Sequence, residues 1–101
     1  MATLHHSSIS SGLTKDLLTA GDDISNVKYI SIANTATDNA FVNLFLNKSG
    51  SDYYLLYKKK ITIGSTLFLN KDNNISFDNS TSGFSLRIKL ETGRVDVIIK
   101  E

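Results

Sequence analysis

Apolar and polar side chains alternate with period two along most of this chain, which is the pattern of half-buried β-strands. The clearest example runs from Phe84 to Leu90, with its apolar side chains predicted inward and its Ser, Arg and Lys side chains outward. A tight hairpin at 91–94 should return the chain antiparallel into the next strand. The remaining predicted strands lie at 13–19, 27–33, 40–46, 53–57 with its continuation 59–63, 66–69, 75–77 and 95–99. The segment 13–19 could also form one helical turn, but seven residues are few for a helix, so a strand is favoured.

This spacing predicts an all-β protein. About eight short strands, recurring at roughly 8–12 residues with turn formers between them, indicate an antiparallel β-sandwich, either jelly-roll-like or immunoglobulin-like. No stretch has sustained helical periodicity, and no alternation of strands with helices indicates a parallel sheet. Residues 1–12 are mostly small and polar, so we predict an extended N-terminal arm there and a single β-sandwich domain at 13–101.

Charge and composition exclude several classes of protein. The 11 basic and 10 acidic residues give a net charge of +1, so no global field attracts nucleic acid or anionic lipid. The absence of cysteine excludes disulfides, thiolate zinc sites, iron–sulfur clusters and cysteine nucleophiles. The first residues lack the basic and apolar regions of a secretory signal, and no apolar run approaches the roughly 20 residues of a membrane span. We therefore expect no membrane partner.

Candidate catalytic and metal-binding groups are sparse. The only two histidines, His5 and His6, are adjacent, so on an extended segment they point to opposite sides and one metal cannot easily use both. The oxygen-rich turns at 22–23 and 72–74 lack the spacing of an EF-hand, and turn propensity explains them without calcium. No Ser-His-Asp arrangement and no Gly-rich phosphate loop are supported. The sequence therefore predicts a protein that is not an enzyme and binds no cofactor or metal.

One segment concentrates aromatic and basic residues. In a regular strand Tyr53 and Tyr57 would share one face with Leu55, Tyr54 would lie on the other, and the following lysines would protect an exposed edge. Alternatively, such a surface is typical of a barrel that binds single-stranded nucleic acid, although the near-zero net charge makes this less favoured. Exposed tyrosine rings could also bind a sugar or a neighbouring subunit.

A further pattern extends over about residues 27–99. It consists of a strand ending in Asn-Thr, a Val/Leu-rich strand, a Tyr-Tyr-Leu-Leu strand and a Gly-containing turn before Thr-Leu, at 29–35, 41–46, 53–56 and 61–67. This pattern resembles small β-sandwich virion proteins of tailed phages, particularly those of marine and cyanobacterial phages. One departure is the segment 63–65, where that pattern would have a proline near Gly64.

The resemblance implies a protein of the virion that either decorates the capsid or belongs to the neck, tail or baseplate. Its partners would be the major capsid protein or the tail and neck proteins, and its own copies, since such proteins are often cyclic oligomers and commonly trimers. Capsid decoration is the leading hypothesis, and a carbohydrate-binding receptor-recognition module that uses the tyrosines is the alternative. The predicted interface comprises Leu4, His5, His6 and Ile9 of the arm and Tyr53, Tyr54, Tyr57, Lys58, Lys59 and Lys60.

Overall fold

The computed structural model describes residues 4–10, 12, 14–24, 27–70, 72, 75 and 77–101. These residues form eight antiparallel strands, and no α-helix occurs among them, so the predicted all-β sandwich is confirmed. The strands are β1 (Leu4–Ser10), β2 (Thr14–Leu18), β3 (Tyr29–Asn34), β4 (Ala40–Lys48), β5 (Ser51–Ile61), β6 (Thr66–Asn70), β7 (Ser85–Thr92) and β8 (Arg94–Lys100).

The strand order is that of a jelly roll. The first sheet has the order β1-β8-β3-β6 and the second sheet has the order β2-β7-β4-β5. Each strand of the first half of the chain pairs with its mirror position in the second half, β1 with β8, β2 with β7, β3 with β6 and β4 with β5. The chain is therefore one long antiparallel hairpin folded over into two sheets, which selects the jelly-roll form over the immunoglobulin-like one.

The core lies between the two sheets and follows from the alternation in the sequence. On β7, Leu86, Ile88 and Leu90 are fully buried, as their period-two spacing predicts. Each such side chain contributes about 1.5–3 kcal/mol relative to an exposed position. The other fully buried large side chains are Leu18, Val27, Ile30, Ile32, Val42, Leu44, Ile75, Val95 and Ile99.

The N-terminal segment differs from the predicted extended arm. Residues 4–10 form β1, which pairs along its whole length with β8 at the edge of the first sheet. Ile9 is only 3% exposed and belongs to the core, and the Ser8 hydroxyl donates a 2.6 Å hydrogen bond to the Asp96 carboxylate. Ile9 is the one large apolar residue among the described side chains of β1, so the alternation of this strand is too weak to be recognised in the sequence. The side chain of Ile9 is consequently unavailable for the interface in which it was predicted.

Two other predicted strands have different limits. The segments 53–57 and 59–63 form one continuous strand, β5, which ends at Ile61. The predicted strand 75–77 is wrong for Ile75 and Phe77, which lie outside the strands, while Ser76 lies outside the described residues. Ile75 is nevertheless fully buried in the core, so its apolar character reflects burial without strand pairing.

Two buried asparagines form hydrogen bonds to the backbone of the segments that connect the strands. The Asn79 side chain is 2% exposed; its Oδ1 accepts from the Ile24 N–H, and its Nδ2 donates to the carbonyls of Thr19 and Phe84, at 2.9–3.1 Å. Asn34 similarly binds three backbone groups from its position at the end of β3. Both side chains satisfy backbone groups that would otherwise be buried without partners, so these residues are structural clamps rather than only turn formers.

Candidate binding cleft on the outer face of the second sheet

The candidate site is built on β4, the strand between β7 and β5. Val42 and Leu44 point into the core. Asn43 and Phe45 alternate with them along the strand and therefore point to the outer face of the sheet. Phe45 is nevertheless only 5% exposed, although it does not belong to the core cluster. Side chains on the outer face must therefore cover this ring.

Irregular pairing of β5 supplies the covering groups. Val42 pairs with Lys59, Leu44 with Leu56, and Phe45 with Tyr54, so β5 has one extra residue in each of the two intervals. Each extra residue shifts the alternation of side chains by one position. Tyr54 and Tyr57, which are an odd number of residues apart, consequently lie on the same outer face, contrary to the prediction that they occupy opposite faces.

The three rings form a continuous aromatic wall. The ring centroids of Phe45 and Tyr54 are 5.1 Å apart, and those of Tyr54 and Tyr57 are 5.0 Å apart with an interplanar angle of 85°. Both spacings are typical of favourable aromatic pairs. Tyr54 remains 49% exposed and Tyr57 63% exposed, and the Lys58 ammonium lies 5.4 Å from the Tyr57 ring centroid. The wall therefore buries Phe45 and presents two tyrosines to solvent.

Polar groups line the remainder of a cleft of about 270 Å³ beside this wall. Among the described residues, the side chains of Lys89 and Glu91 form no hydrogen bond or ion pair, and both are exposed on β7. The Asp52 carboxylate accepts a 2.7 Å hydrogen bond from Asn47 Nδ2 and retains further lone pairs. The cleft is lined by Thr14, Asn43, Phe45, Asp52, Tyr54, Tyr57, Lys89 and Glu91.

The structure separates the residues that were predicted as one interface. His5 Nε2 lies 3.3 Å from a Glu101 carboxylate oxygen and His6 is exposed, both on β1 of the first sheet, while the side chain of Leu4 lies outside the described residues. Of the tyrosine-rich segment, Tyr54 and Tyr57 line the cleft, and the Lys58 ammonium lies beside the Tyr57 ring.

Tyr53 belongs to a different surface. It pairs with Leu46 and is 56% exposed, on the face opposite to Tyr54. Its ring contacts Phe84 edge-on at 5.9 Å, and the Lys48 ammonium lies 5.2 Å from the Phe84 ring centroid.

Lys59 and Lys60 are exposed on β5, the edge strand of the second sheet. Lysines at such an edge oppose pairing with strands of other molecules.

Six residues of the cleft were missed from the sequence. Asn43 and Phe45 alternate with the inward residues of β4, so this alternation already indicated a shared outer face. Their pairing with the tyrosine strand could have been proposed from the short turn at 49–50. Asp52 precedes Tyr54 by two residues, so alternation already indicated a shared face. The contributions of Thr14, Lys89 and Glu91 depend on strand order and had no local signal.

Further structural facts bear on metals and membranes. In the part of the chain that the structure describes, no three His, Cys, Asp or Glu side chains are close enough together to hold a metal ion. Asp22 instead accepts a hydrogen bond from the Thr19 N–H at 2.9 Å, while Asn73 and Asn74 lie outside the described residues. Over the same ranges, no helix has the length and apolar character to cross a membrane.

Comparison with known proteins finds similarity only at the level of three-dimensional structure. No protein family and no curated protein matches the sequence. The Anabaena sensory rhodopsin transducer is 14% identical, with coverage of 91% of this chain and 90% of that chain and a TM-score of 0.47. The Yersinia pseudotuberculosis-derived mitogen is 13% identical, with coverage of 99% and 83% and a TM-score of 0.42.

A chain from infectious bursal disease virus, Gt strain, is 10% identical with a TM-score of 0.44, and the alignment covers 99% of this chain but 32% of the viral chain. The similarity in each case is too low to inform function. The jelly-roll assignment accordingly rests on the strand order, and the resemblance to phage virion proteins stays a prediction.

Proposed function

We propose that this chain is a non-enzymatic structural protein of a virion, and specifically a capsid decoration protein that acts by contacting neighbouring subunits. One observation carries the proposal, namely that large apolar side chains are exposed on the outer faces of both sheets. Tyr54 and Tyr57 lie on the second sheet, and Phe68 lies on the first, where it is 54% exposed. Exposed aromatic groups are enriched where proteins bind one another.

The aromatic group of the first sheet is a stacked pair at the edge of the sandwich. The rings of Tyr29 and Phe68 have centroids 5.1 Å apart and an interplanar angle of 29°. Ile30 and Leu69 point into the core, which places Tyr29 and Phe68 on the outer face. The pair thus presents an apolar surface on the side of the domain opposite to the cleft.

Contact surfaces on two opposite faces suit a decoration protein, because such a protein stabilises a particle by joining at least two neighbours. Side-chain contacts would be modest individually, but many copies on a symmetric lattice make them effective together. Lys59 and Lys60 on the edge strand disfavour open-ended strand pairing between copies. Contacts between copies would therefore form through the sheet faces rather than by strand pairing.

A neck, tail or baseplate component would use the same kind of contacts at a different place in the particle. Fractionation of purified particles separates the two possibilities, because a decoration protein copurifies with capsids after tails are removed. Recovery only in the tail fraction would move the assignment to the tail.

The functional test uses particles of the encoding phage prepared without the protein. Adding the purified chain should raise the temperature at which these particles release their genome, and Phe68→Thr should weaken particle binding by about tenfold because it removes an aromatic contact. Ile63→Thr is the matched control, since Ile63 is 57% exposed but lies in the turn after β5. Absence of binding to every particle fraction would argue against a virion role.

A further inference from the structure

We infer that the cleft on the second sheet binds one ring of a neutral glycan, with Tyr54 and Tyr57 against the apolar face of the sugar and Asp52, Lys89 and Glu91 bonded to its hydroxyls. This inference goes beyond the proposed structural role, shares Tyr54 and Tyr57 with it, and depends on none of the residues of the Tyr29–Phe68 pair. It identifies a ligand by its chemistry, because a sugar ring combines an apolar C–H face with a rim of hydroxyls.

The aromatic wall supplies the stacking side of the site. Phe45 supports Tyr54 from below, and Tyr54 in turn contacts Tyr57 at nearly a right angle, so the exposed rings are held by neighbours. Preorganised rings lose little conformational freedom when a ligand binds. Tyrosine also carries a hydroxyl that can bond to a sugar hydroxyl at the edge of the ring.

Residues of β7 and of the start of β5 supply hydrogen-bonding groups. Lys89 offers donors, and the carboxylates of Asp52 and Glu91 offer acceptors. The side chains of Lys89 and Glu91 have no partner among the described residues, so they remain available to a ligand. Hydrogen bonds between ionised side chains and hydroxyls are about twice as strong as neutral ones, and alternating donors and acceptors match the hydroxyls of a sugar.

The charge balance favours a neutral ligand. Among the lining residues, the two carboxylates of Asp52 and Glu91 outnumber the one ammonium group of Lys89, and the Lys58 ammonium lies beside the Tyr57 ring. A phosphate or a carboxylated sugar would gain little from a site without excess positive charge, whereas binding of single-stranded nucleic acid requires a predominantly positive groove. The charges therefore select an uncharged polar ring over a polyanion.

The volume of the cleft limits the ligand to a small group. Pockets for drug-sized ligands occupy roughly 300–1,000 Å³, and this open cleft of about 270 Å³ lies just below that range. A single sugar ring at the end of a longer glycan would occupy it, and the dissociation constant should be on the order of 1 mM. Repeated copies of the protein would raise the overall affinity.

The test is saturation-transfer NMR on the full chain with glucose, galactose, mannose and N-acetylglucosamine. We expect at least one sugar to receive transfer and to shift the signals of Tyr54 and Tyr57. Tyr57→Leu should weaken binding by about tenfold because it removes the stacking ring, while Tyr57→Phe should retain binding within about threefold. Tyr53→Leu is the matched control, because Tyr53 is similarly exposed on the opposite face and should leave binding unchanged.

Several outcomes would overturn the inference. These are the absence of saturation transfer from the folded protein to any of the sugars, equal affinity of Tyr57→Leu and the unmodified chain, or aromatic shifts only with a single-stranded oligonucleotide at low salt. The particle-binding assay with Phe68→Thr is independent of all of them. Failure of sugar binding would therefore leave the structural proposal to be judged on its own measurement.

Discussion

The Oδ1 atom of Asn43 accepts a 2.9 Å hydrogen bond from the backbone N–H of Lys58. Lys58 has a φ of +50°, a left-handed conformation that residues other than glycine seldom adopt, and it lies in the bulge of β5. Asn43 Nδ2 also donates to the carbonyl of Lys89 at 3.4 Å. One amide, 6% exposed, thus joins β5 and β7 to β4 beneath the cleft.

Replacement of Asn43 by Ala should lower the free energy of unfolding by about 1–3 kcal/mol, because the bulge loses the acceptor of its N–H. Urea denaturation measures the loss, and contacts between the Tyr54 and Tyr57 rings in NMR spectra report whether the bulge persists. Asn47→Ala is the control, since Asn47 is bonded only at the surface and should change stability by less than about 0.5 kcal/mol. Equal losses in the two variants would contradict the proposed role of Asn43.

Because β1 belongs to the first sheet, Ile9→Ala should strongly lower the free energy of unfolding. Removal of a buried Ile side chain costs about 2–5 kcal/mol, and Ile9 is 3% exposed. His6→Ala, at an exposed position of the same strand, should have an effect below about 0.5 kcal/mol. Unfolding experiments on both variants decide the matter, because an arm detached from the sheet would make the Ile9 substitution as neutral as the His6 one.

The hairpin between β7 and β8 requires glycine for two separable reasons. Gly93 has a φ of +93°, and a Cβ there would lie 2.9 Å from the Ala40 Cβ. Gly50, in the hairpin between β4 and β5, provides the comparison. It has a φ of +81°, but in the described part of the chain nothing lies within 4 Å of the position that a Cβ would occupy. Gly50→Ala should therefore cost about 1–2 kcal/mol from backbone strain alone. Gly93→Ala should cost about 1–3 kcal/mol more because of overpacking, and thermal denaturation yielding similar losses would refute the steric component.

The lowered pKa of Asp78 predicts that the free energy of unfolding depends on pH in the acid range. The backbone N–H of Ser80 donates to its carboxylate at 3.0 Å, and this bond, with the Ser80 hydroxyl and the charge of Lys48, holds the pKa of Asp78 below its usual 3.8, against a smaller desolvation effect. Because the folded pKa is the lower one, the carboxylate contributes its full stabilisation above pH 3.8 and loses it as the pH falls through the folded pKa.

Asp78→Asn should remove this part of the pH dependence. Urea midpoints measured at successive pH values should converge for the two proteins as the pH falls below 3.8. An NMR titration of the Asp78 carboxyl supplies the pKa directly. A constant difference between the urea midpoints of the two proteins as the pH falls below 3.8 would show that Asp78 does not contribute to the pH dependence of stability.

Much of the fold was predictable because a single buried face produces alternation that any reader of the sequence can recognise. The predicted strands 84–90 and 95–99, with the hairpin between them, correspond closely to β7 and β8. The segment at Ile75 was misassigned because an apolar residue buried from a loop resembles one buried from a strand. β1 was missed because Ile9 alone does not make a pattern.

The cleft was less accessible to prediction, and the reason is geometric. A bulge is defined by the partner strand, so the extra residues of β5 have no signature in β5 itself. Strict alternation placed Tyr54 and Tyr57 on opposite faces, and only the pairing with Leu44 and Phe45 brings them together. Strand order likewise determines that Lys89 and Glu91 face these tyrosines.

The pairing of β1 with β8 has a consequence for biosynthesis. Within the sheets that the structure describes, β1 has β8 as its neighbour, and β3 lies on the other side of β8. During translation β1 leaves the ribosome first and must wait, unpaired, until nearly the whole domain has followed. Contacts so distant in sequence close slowly, so a nascent chain stalled before Arg94 should be susceptible to protease and to chaperone binding along β1. The first sheet should therefore form only after β8 has left the ribosome.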